Sequence, residues 1–303
     1  MVNSFESVLR KAKEIERKTV SVAVAQDEHV LEAVKAANEQ GIANAILVGD
    51  ETKIREIAAK IDMDLSNVEV INELDIKKAA RIAVECVSSK RAHMVMKGLI
   101  DTANFLRAVL DKEIGLRTKG LMSHVAVFEV PKFDRLILVT DAAMNKYPDL
   151  NEKVEIVKNA VTVSKALGTE LPKVAPICAV EVVNPKMPPT LDAAALSQMN
   201  ARGQIKGCLI DGPLAIDNAL SEEAAKHKGI DSPVAGKADI MLMPNIEAGN
   251  VMYKTLAFTT ESKNGGLLIG AAAPVIVTSR ADSYETKMNS IALAALVAEL
   301  LNK

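Results

Sequence analysis

The amino-acid sequence predicts an α/β protein of two domains, each with a mostly parallel β-sheet flanked by helices. Short runs rich in β-branched residues alternate with segments of helical period almost from the first residue. This alternation is typical of βαβ units. The chain is also 303 residues long, which is more than one hydrophobic core usually serves.

The first part of the chain contains predicted strands joined by predicted helices. We expect the strands at residues 19–25, 45–48, 68–71 and 93–96, where apolar and β-branched residues are concentrated. The intervening helices are expected at 29–40, 52–61 and 75–90. In the last of these, apolar residues recur at helical spacing, at Ile76, Ala79, Ala80, Ala83 and Val87.

A hairpin is expected in the middle of the chain. Strands predicted at 124–130 and 135–140 are separated by only four residues, which is too short for a parallel crossover. The pair is therefore predicted to be antiparallel, and this change in sheet character indicates a domain junction nearby.

The remaining elements continue the α/β pattern. A long helix is expected at 150–167, followed by strands at 174–180, 205–210, 240–243, 267–269 and 275–277. A closing helix at 283–301 has one predicted apolar face, formed by Met288, Ile291, Ala295 and Ala298.

Composition excludes several classes of protein. The net charge is −2 with both signs interleaved, so no basic footprint for nucleic acid is present. Apolar runs are too short to span a membrane and the first residues lack the apolar core of a signal peptide, so we expect a soluble cytoplasmic protein. The three cysteines are widely spaced, which favours buried thiols over disulfides or a zinc site.

Several predicted strands end in loops that combine small and polar residues, and ligands of open α/β sheets bind beyond the carboxyl ends of strands. One such loop could simply close a turn, but together they favour a binding site; they lie at 97–98, 141–145, 211–214, 244–250 and 278–280. No P-loop, dinucleotide fingerprint, nucleophile elbow or metal-ligand spacing occurs. Catalysis would then depend on positioning and charge stabilisation.

The segment 273–287 combines an apolar strand, the pair Ser279 and Arg280, and a helix start. Arg280 could hold a phosphate or an oxyanion in its two-pronged fork, with Ser279 donating a hydrogen bond beside it. The acids Asp282 and Glu285 could equally form a pair like a capping box at the helix start.

Four blocks of this sequence resemble the phosphate acetyltransferase/phosphate butyryltransferase family. They are residues 211–218 (DGPLAIDN), 232–236 (SPVAG), 243–254 (MPNIEAGNVMYK) and 278–287 (TSRADSYETK). Segments 97–107 and 141–148 match less strictly. The Glu-Thr-Lys pattern at 285–287 is similar to the butyryl branch of the family.

The resemblance implies a reversible reaction, acyl-CoA plus phosphate to acyl phosphate plus CoA, with butyryl-CoA favoured and direct attack in a ternary complex. It implies a homo-oligomer without a cofactor, since CoA and phosphate are substrates. It also implies two domains of isocitrate/isopropylmalate dehydrogenase-like architecture with the active-site cleft between them. We place one domain at 1–142 and 268–303, and the other at 143–267.

Roles for single residues follow from the same resemblance. Ser279 would hydrogen-bond the CoA sulfur, and Arg280 would bind phosphate and stabilise the tetrahedral oxyanion. Further substrate-binding candidates are Lys97, Arg107, Asn145, Asp211, Asn245, Gly249 and Asn250. Thr286 stands where acetyltransferases of the family carry an aspartate base, which leaves Glu285 and Asp282 as candidates for the base.

Three alternatives remain open on sequence alone. The enzyme could prefer acetyl-CoA or accept acyl groups of two to five carbons broadly, because one methylene changes binding by only ~1–3 kcal/mol. A metal- and NAD-dependent decarboxylating dehydrogenase could use the same architecture. A non-catalytic module that binds CoA or acyl phosphate is the third.

Overall fold

The computed structural model describes residues 2–279 and 282–302. The chain forms two compact units: unit A contains Phe5–Gly120 and Gly265–Lys303, and unit B contains Met1–Ser4 and Leu121–Asn264. The domain boundaries expected from the sequence, at 142/143 and 267/268, stay a prediction about domain organisation.

Helices and strands alternate along most of the chain. The helices are α1 (Phe5–Glu14), α2 (Glu28–Glu39), α3 (Glu51–Lys60), α4 (Ile76–Ser88), α5 (Thr102–Val109), α6 (Leu150–Ala166), α7 (Pro188–Ala201), α8 (Ile216–Leu220), α9 (Glu222–His227), α10 (Ile246–Thr259) and α11 (Tyr284–Leu301). The strands are β1 (Lys18–Ala23), β2 (Ala43–Gly49), β3 (Glu69–Asn72), β4 (Met94–Lys97), β5 (Ser123–Glu129), β6 (Leu136–Thr140), β7 (Lys173–Pro176), β8 (Leu209–Ile210), β9 (Ile240–Leu242), β10 (Lys263–Ile269) and β11 (Val275–Ile276).

Most predicted elements are confirmed to within a few residues, but two strands are shorter than predicted. Strand β7 ends at Pro176, although the Ile177 N–H still donates to the Leu242 carbonyl at 2.9 Å. Strand β8 begins only at Leu209, because Gly207 has a φ of 79° that breaks the extended backbone. Helices α5, α7, α8, α9 and α10 lie in segments for which the sequence predicts no element.

Unit A is built on a mostly parallel sheet with the strand order β3-β2-β1-β4-β11-β10. Val20 pairs with Ala45 on one side and with Met94 on the other, while β10 runs antiparallel to β11. Parallel crossovers are right-handed, so α2 and α3 cover one face of this sheet and α4 covers the other.

Helix α11 is the central helix of unit A. The sequence predicts a single apolar face, but every residue from Lys287 to Ala298 is buried, because α1, α2 and the strands β1, β2, β4 and β11 all pack against it. From Ile291 to Ala298 these buried residues are all apolar, as expected for a helix that is enclosed on all sides. In the part of the chain that the structure describes, neither α11 nor another helix is long and apolar enough to cross a membrane.

Unit B contains strands in the order β5-β6-β9-β7-β8. The predicted hairpin is confirmed, since β5 and β6 are antiparallel with Val127 opposite Leu138. The remaining pairs are parallel. Helix α6 packs on β5, β6 and β9, and the ring of Phe128 lies edge-on to that of Tyr253 at 5.4 Å.

The cysteines are free thiols, as predicted. Cys86 and Cys208 are buried, whereas Cys178 is only partly buried. Burial raises the pKa of Cys178 and of Cys208 to about 11. A thiol with so high a pKa carries little thiolate near neutral pH and is a poor nucleophile.

Candidate functional site

The carboxyl ends of β4 and β11 lie side by side in unit A. The strands are parallel, with Ile276 paired to Met96. Lys97 closes β4 and Ser279 follows β11, so both predicted site residues leave the sheet at the same edge. Adjacent strands are about 4.8 Å apart, which brings the two loops into one neighbourhood.

Lys97 and Gly98 lie against the end of β1, where the Gly98 N–H donates to the Ala23 carbonyl at 2.9 Å. The Lys97 side chain is buried and its Nζ donates to the Ile100 carbonyl at 3.0 Å. A Cβ on Gly98 would lie 2.3 Å from the Val24 carbonyl oxygen, so only glycine allows this approach. The predicted binding role of Lys97 stays a prediction.

Arg107 lies on the exposed side of α5. Asp101 caps this helix by accepting from the Asn104 N–H, and the Asn104 side chain in turn accepts a hydrogen bond from the Arg107 guanidinium. The short helix therefore presents an oriented, solvent-exposed arginine, a group well suited to binding phosphate or carboxylate.

Ser279 and Asp282 hydrogen-bond to each other after β11. The Ser279 N–H donates to Asp282 Oδ2 at 2.7 Å, and the Asp282 N–H donates to the Ser279 carbonyl at 3.2 Å. The N-cap of α11 is Ser283, which accepts from the Thr286 N–H. The predicted capping pair of Asp282 and Glu285 is therefore wrong, since Asp282 closes the preceding turn instead.

Two further catalytic candidates belong to this segment. Glu285 lies exposed in the first turn of α11, where its negative charge interacts favourably with the positive end of the helix dipole. Arg280 falls outside the described residues, so its role stays a prediction.

Lys287 was not singled out from the sequence. Its side chain is buried, and Nζ donates to the Ser279 carbonyl at 3.1 Å and to the Asp282 carbonyl at 2.6 Å. Burial lowers the pKa of this ammonium, while the charges of Asp282 and Asp27 oppose the shift. One signal was available in the sequence: a cation in the first turn of a helix is electrostatically unfavourable.

Unit B has its own cluster of predicted residues, at the carboxyl ends of β6, β9 and β7. Leu242 pairs with Thr140 and with Pro176, so the loops that begin at Asp141 and at Met243 leave the same edge. Helix α10 starts from the second loop, with Asn245 as its N-cap.

Asp141 organises the first of these loops. Its carboxylate is buried and accepts from the backbone N–H groups of His124, Ala143, Met144 and Asn145 and from the Asn145 side chain. Hydrogen bonds to a charged group are stronger than neutral ones. The sequence identified this loop as a candidate site without assigning a role to Asp141.

The predicted site asparagines of unit B also form hydrogen bonds with the backbone. The Asn145 side chain donates to the Met122 carbonyl at 2.9 Å. Asn245 accepts from the Ala248 N–H, and Asn250 donates to the Ala142 carbonyl at 3.2 Å. Loop 141–145 and the start of α10 are therefore interlocked, which places Asn145, Asn245 and Asn250 together.

Gly249 is explained by the same contact. It is buried in α10, and a Cβ there would lie 2.2 Å from the Asp141 carbonyl oxygen. The helix can approach the loop this closely only without a side chain at position 249. Its predicted role in lining a binding site stays a prediction.

Asp211 lies farther along the sheet, after the edge strand β8. Its carboxylate accepts from the Gly212 N–H at 3.0 Å. The block that it begins packs against the block 232–236, where the Gly236 N–H donates to the Asn218 carbonyl at 2.7 Å. The second block therefore has a structural role, because Gly236 has a φ of 76° and a Cβ there would lie 2.6 Å from Cα of Glu222.

Metal ligands are not clustered in residues 2–279 and 282–302: no group of three or more His, Cys, Asp or Glu there could hold a metal ion. The polar groups near the two strand edges include backbone carbonyls, side-chain amides, ammonium and guanidinium groups, together with the carboxylates of Asp141, Asp282 and Glu285. Cations and amide donors such as these suit the binding of anionic substrates.

The family model for "Phosphate acetyl/butaryl transferase" matches residues 4–81 and 73–295 of the chain. The chain belongs to this family. As a family member it is similar to the phosphate butyryltransferase of Clostridium acetobutylicum, with 67% identity over 98% of this chain and 99% of the relative. The resemblance drawn from the four sequence blocks is confirmed.

Solved structures agree with this assignment. A branched-chain phosphotransacylase from Enterococcus faecalis V583 is 34% identical, covers 93% of this chain and 99% of its own, and has a TM-score of 0.82. A 4-hydroxythreonine-4-phosphate dehydrogenase from Burkholderia phymatum, 13% identical, covers 93% of this family member and 99% of its own chain with a TM-score of 0.53. The second likeness concerns the fold alone and agrees with the predicted dehydrogenase-like architecture.

Proposed function

We propose that this chain transfers a short acyl group, butyryl by preference, reversibly between coenzyme A and inorganic phosphate. The observation that carries the proposal is the 67% identity, over almost the whole chain, to a phosphate butyryltransferase. The exposed Arg107 and the exposed Ser279, whose backbone is hydrogen-bonded to Asp282, supply groups that such a reaction needs. Both substrates are anionic, and neither requires a further cofactor.

The reaction proceeds by direct attack in a ternary complex. A phosphate oxygen attacks the thioester carbonyl carbon, the C–S bond breaks, and CoA leaves as the thiolate. Arg280 binds phosphate and stabilises the oxyanion of the tetrahedral intermediate, while the Ser279 hydroxyl donates to the departing sulfur. Arg107 holds an anionic substrate, with further binding contacts from Lys97, Asn145, Asp211, Asn245, Gly249 and Asn250.

The reverse direction requires a base, because a free thiol with pKa ~8.5 is only a few per cent ionised near pH 7. Thr286 carries no basic group, and its N–H is bound to the Ser283 hydroxyl. The neighbouring carboxylates are Asp282, held against the Ser279 backbone, and Glu285, exposed in the first turn of the helix. Either carboxylate can accept the thiol proton in this proposal.

The test is the release of free CoA thiol from acetyl-, propionyl-, butyryl- and isobutyryl-CoA, with and without phosphate and in the presence of EDTA. We expect release that requires phosphate, persists with EDTA and is fastest with butyryl-CoA. A maximum with acetyl-CoA would favour the acetyl alternative. NAD reduction that depends on a metal would favour the dehydrogenase, and CoA binding without turnover would favour the binding module.

The chain is further proposed to act as a homo-oligomer in the cytoplasm. Free cysteines are typical of reducing compartments. Val251 and Phe258 lie seven residues apart on the same side of α10, with 66% and 72% of their surfaces exposed. Large apolar side chains exposed together on one helix face are typical of protein interfaces, and a second copy of this chain is the proposed partner.

Light scattering after gel filtration tests the oligomer. We expect wild-type protein to elute as an oligomer and Phe258→Lys to shift it toward the monomer, because a buried charge without a partner disrupts an interface. The neighbouring exposed substitution Thr259→Lys is the control and should leave the mass unchanged. A monomeric wild type would refute the proposal.

A further inference from the structure

One buried ammonium binds both residues that flank Arg280 in the described chain. Lys287 Nζ donates to the carbonyl oxygens of Ser279, at 3.1 Å, and of Asp282, at 2.6 Å. These residues are also joined to each other by two hydrogen bonds. The bonds converge on the segment to which the proposed function assigns the sulfur-binding hydroxyl and the oxyanion-binding guanidinium.

The position of Lys287 is unfavourable for the free energy of folding in two respects. Taking an ammonium out of water is unfavourable unless it is paired or hydrogen-bonded. A cation in the first turn of a helix also opposes the helix dipole. Its carbonyl partners reduce the first cost, as do the charges of Asp282 and of Asp27, the N-cap residue of α2.

The α11 end of this contact is rigid, because the helix is buried from Lys287 to Ala298. Because Lys287 belongs to this helix and binds the Ser279 and Asp282 carbonyls, it connects the Ser279–Asp282 segment to a rigid helix. Asp27 lies in the loop that follows β1, and β1 is the parallel neighbour of β4. Its Nζ contacts carbonyl oxygens, which do not react in the proposed chemistry.

We propose that Lys287 is a positioning residue. By holding the backbone at Ser279 and Asp282, it keeps the catalytic groups of this segment in the orientation that the transition state requires. The inference rests on the proposed function and adds to it a residue that acts through others. Displacing a catalytic group by about 1 Å can cost ~10²-fold in rate, so the carbonyl contacts matter for turnover as well as for stability.

The test compares two buried lysines of unit A. Lys287→Met keeps side-chain length but removes the donors, and we expect kcat per folded protein to fall ~10- to 100-fold with a nearly unchanged KM for butyryl-CoA. Lys18→Met is the control. Lys18 is equally buried and paired with Glu299 at 2.8 Å, but it lies at the opposite end of β1, so its loss should lower stability and leave kcat within about twofold.

A double-mutant cycle with Arg280→Ala separates positioning from general stability. If Lys287 acts through this segment, adding Lys287→Met to Arg280→Ala should lower kcat by less than about threefold further, since coupled residues are not additive. Independent, multiplying effects would overturn the inference, as would a Lys287→Met enzyme with wild-type kcat. If Lys287→Met does not fold, Lys287→Gln is measured against the same criteria.

Failure of the inference can be distinguished from failure of the proposed function. A wild-type protein without phosphate-dependent CoA release would refute the function itself. An active wild type whose Lys287 variants behave like Lys18→Met would refute only the positioning role.

Discussion

Arg280→Ala is expected to lower kcat by about 10²–10³-fold, the usual effect of removing one donor from an oxyanion site. The proposed function gives this guanidinium two tasks, binding phosphate and neutralising the oxyanion that forms when phosphate attacks the thioester. The second task exists only in the transition state. Its loss should therefore appear in kcat as well as in the KM for phosphate.

Steady-state kinetics of phosphate-dependent CoA release measure this effect. Arg280→Lys should recover only part of the rate, because an ammonium cannot reproduce the two parallel hydrogen bonds of the guanidinium fork. The control is Arg10→Ala, which replaces an exposed arginine of α1 and should change kcat by less than about twofold. An Arg280→Ala enzyme within threefold of wild type would remove Arg280 from the mechanism.

Asp141→Ala is expected to lower the free energy of unfolding by about 3–5 kcal/mol, at the high end for a single substitution. The Asp141 carboxylate accepts from four backbone N–H groups and one side-chain amide. Leaving a buried donor without a partner costs about 1–3 kcal/mol, and the substitution would leave several N–H donors without a partner at once. Partial access of water to the loop keeps the total below the full sum.

Urea denaturation of wild type and variants measures this loss. The control is Asp134→Ala in the same unit, because the Asp134 side chain is 93% exposed and its ion pair with Arg135 contributes little. Asp141→Asn should be nearly as unstable as Asp141→Ala, since its amide would place hydrogens against N–H donors. A loss below about 1 kcal/mol in Asp141→Ala would show that the loop is held by other contacts.

The candidate site was only partly predictable, and helix α10 shows why. The sequence predicts the segment 244–250 to be a loop at a candidate site, whereas the structure begins a helix at Ile246. Glycine disfavours helices, and the exposed apolar residues Val251 and Phe258 obscure the periodicity that marks a buried face. The helix forms here because Asn245 caps it and because Gly249 lets it lie against the Asp141 carbonyl.

The capping of α11 illustrates a local ambiguity. Asp282 and Ser283 are adjacent, and each residue type is a good N-cap. Which of them caps the helix depends on the path of the chain out of β11. The Ser279 N–H donates to the Asp282 carboxylate, and Ser283 is the N-cap of the helix.

The α/β class, the positions of most strands, the β5–β6 hairpin and the family could all be predicted from the amino-acid sequence, because β-branched runs, helical periods and motif blocks are local signals. The contacts of Asp141, Gly249 and Lys287 could not be predicted in this way. Their partners include His124, seventeen residues before Asp141, and the Asp141 carbonyl against which Gly249 lies. Burial and hydrogen bonding between segments distant in the chain arise only when the chain has folded, and no local pattern of residue types encodes them.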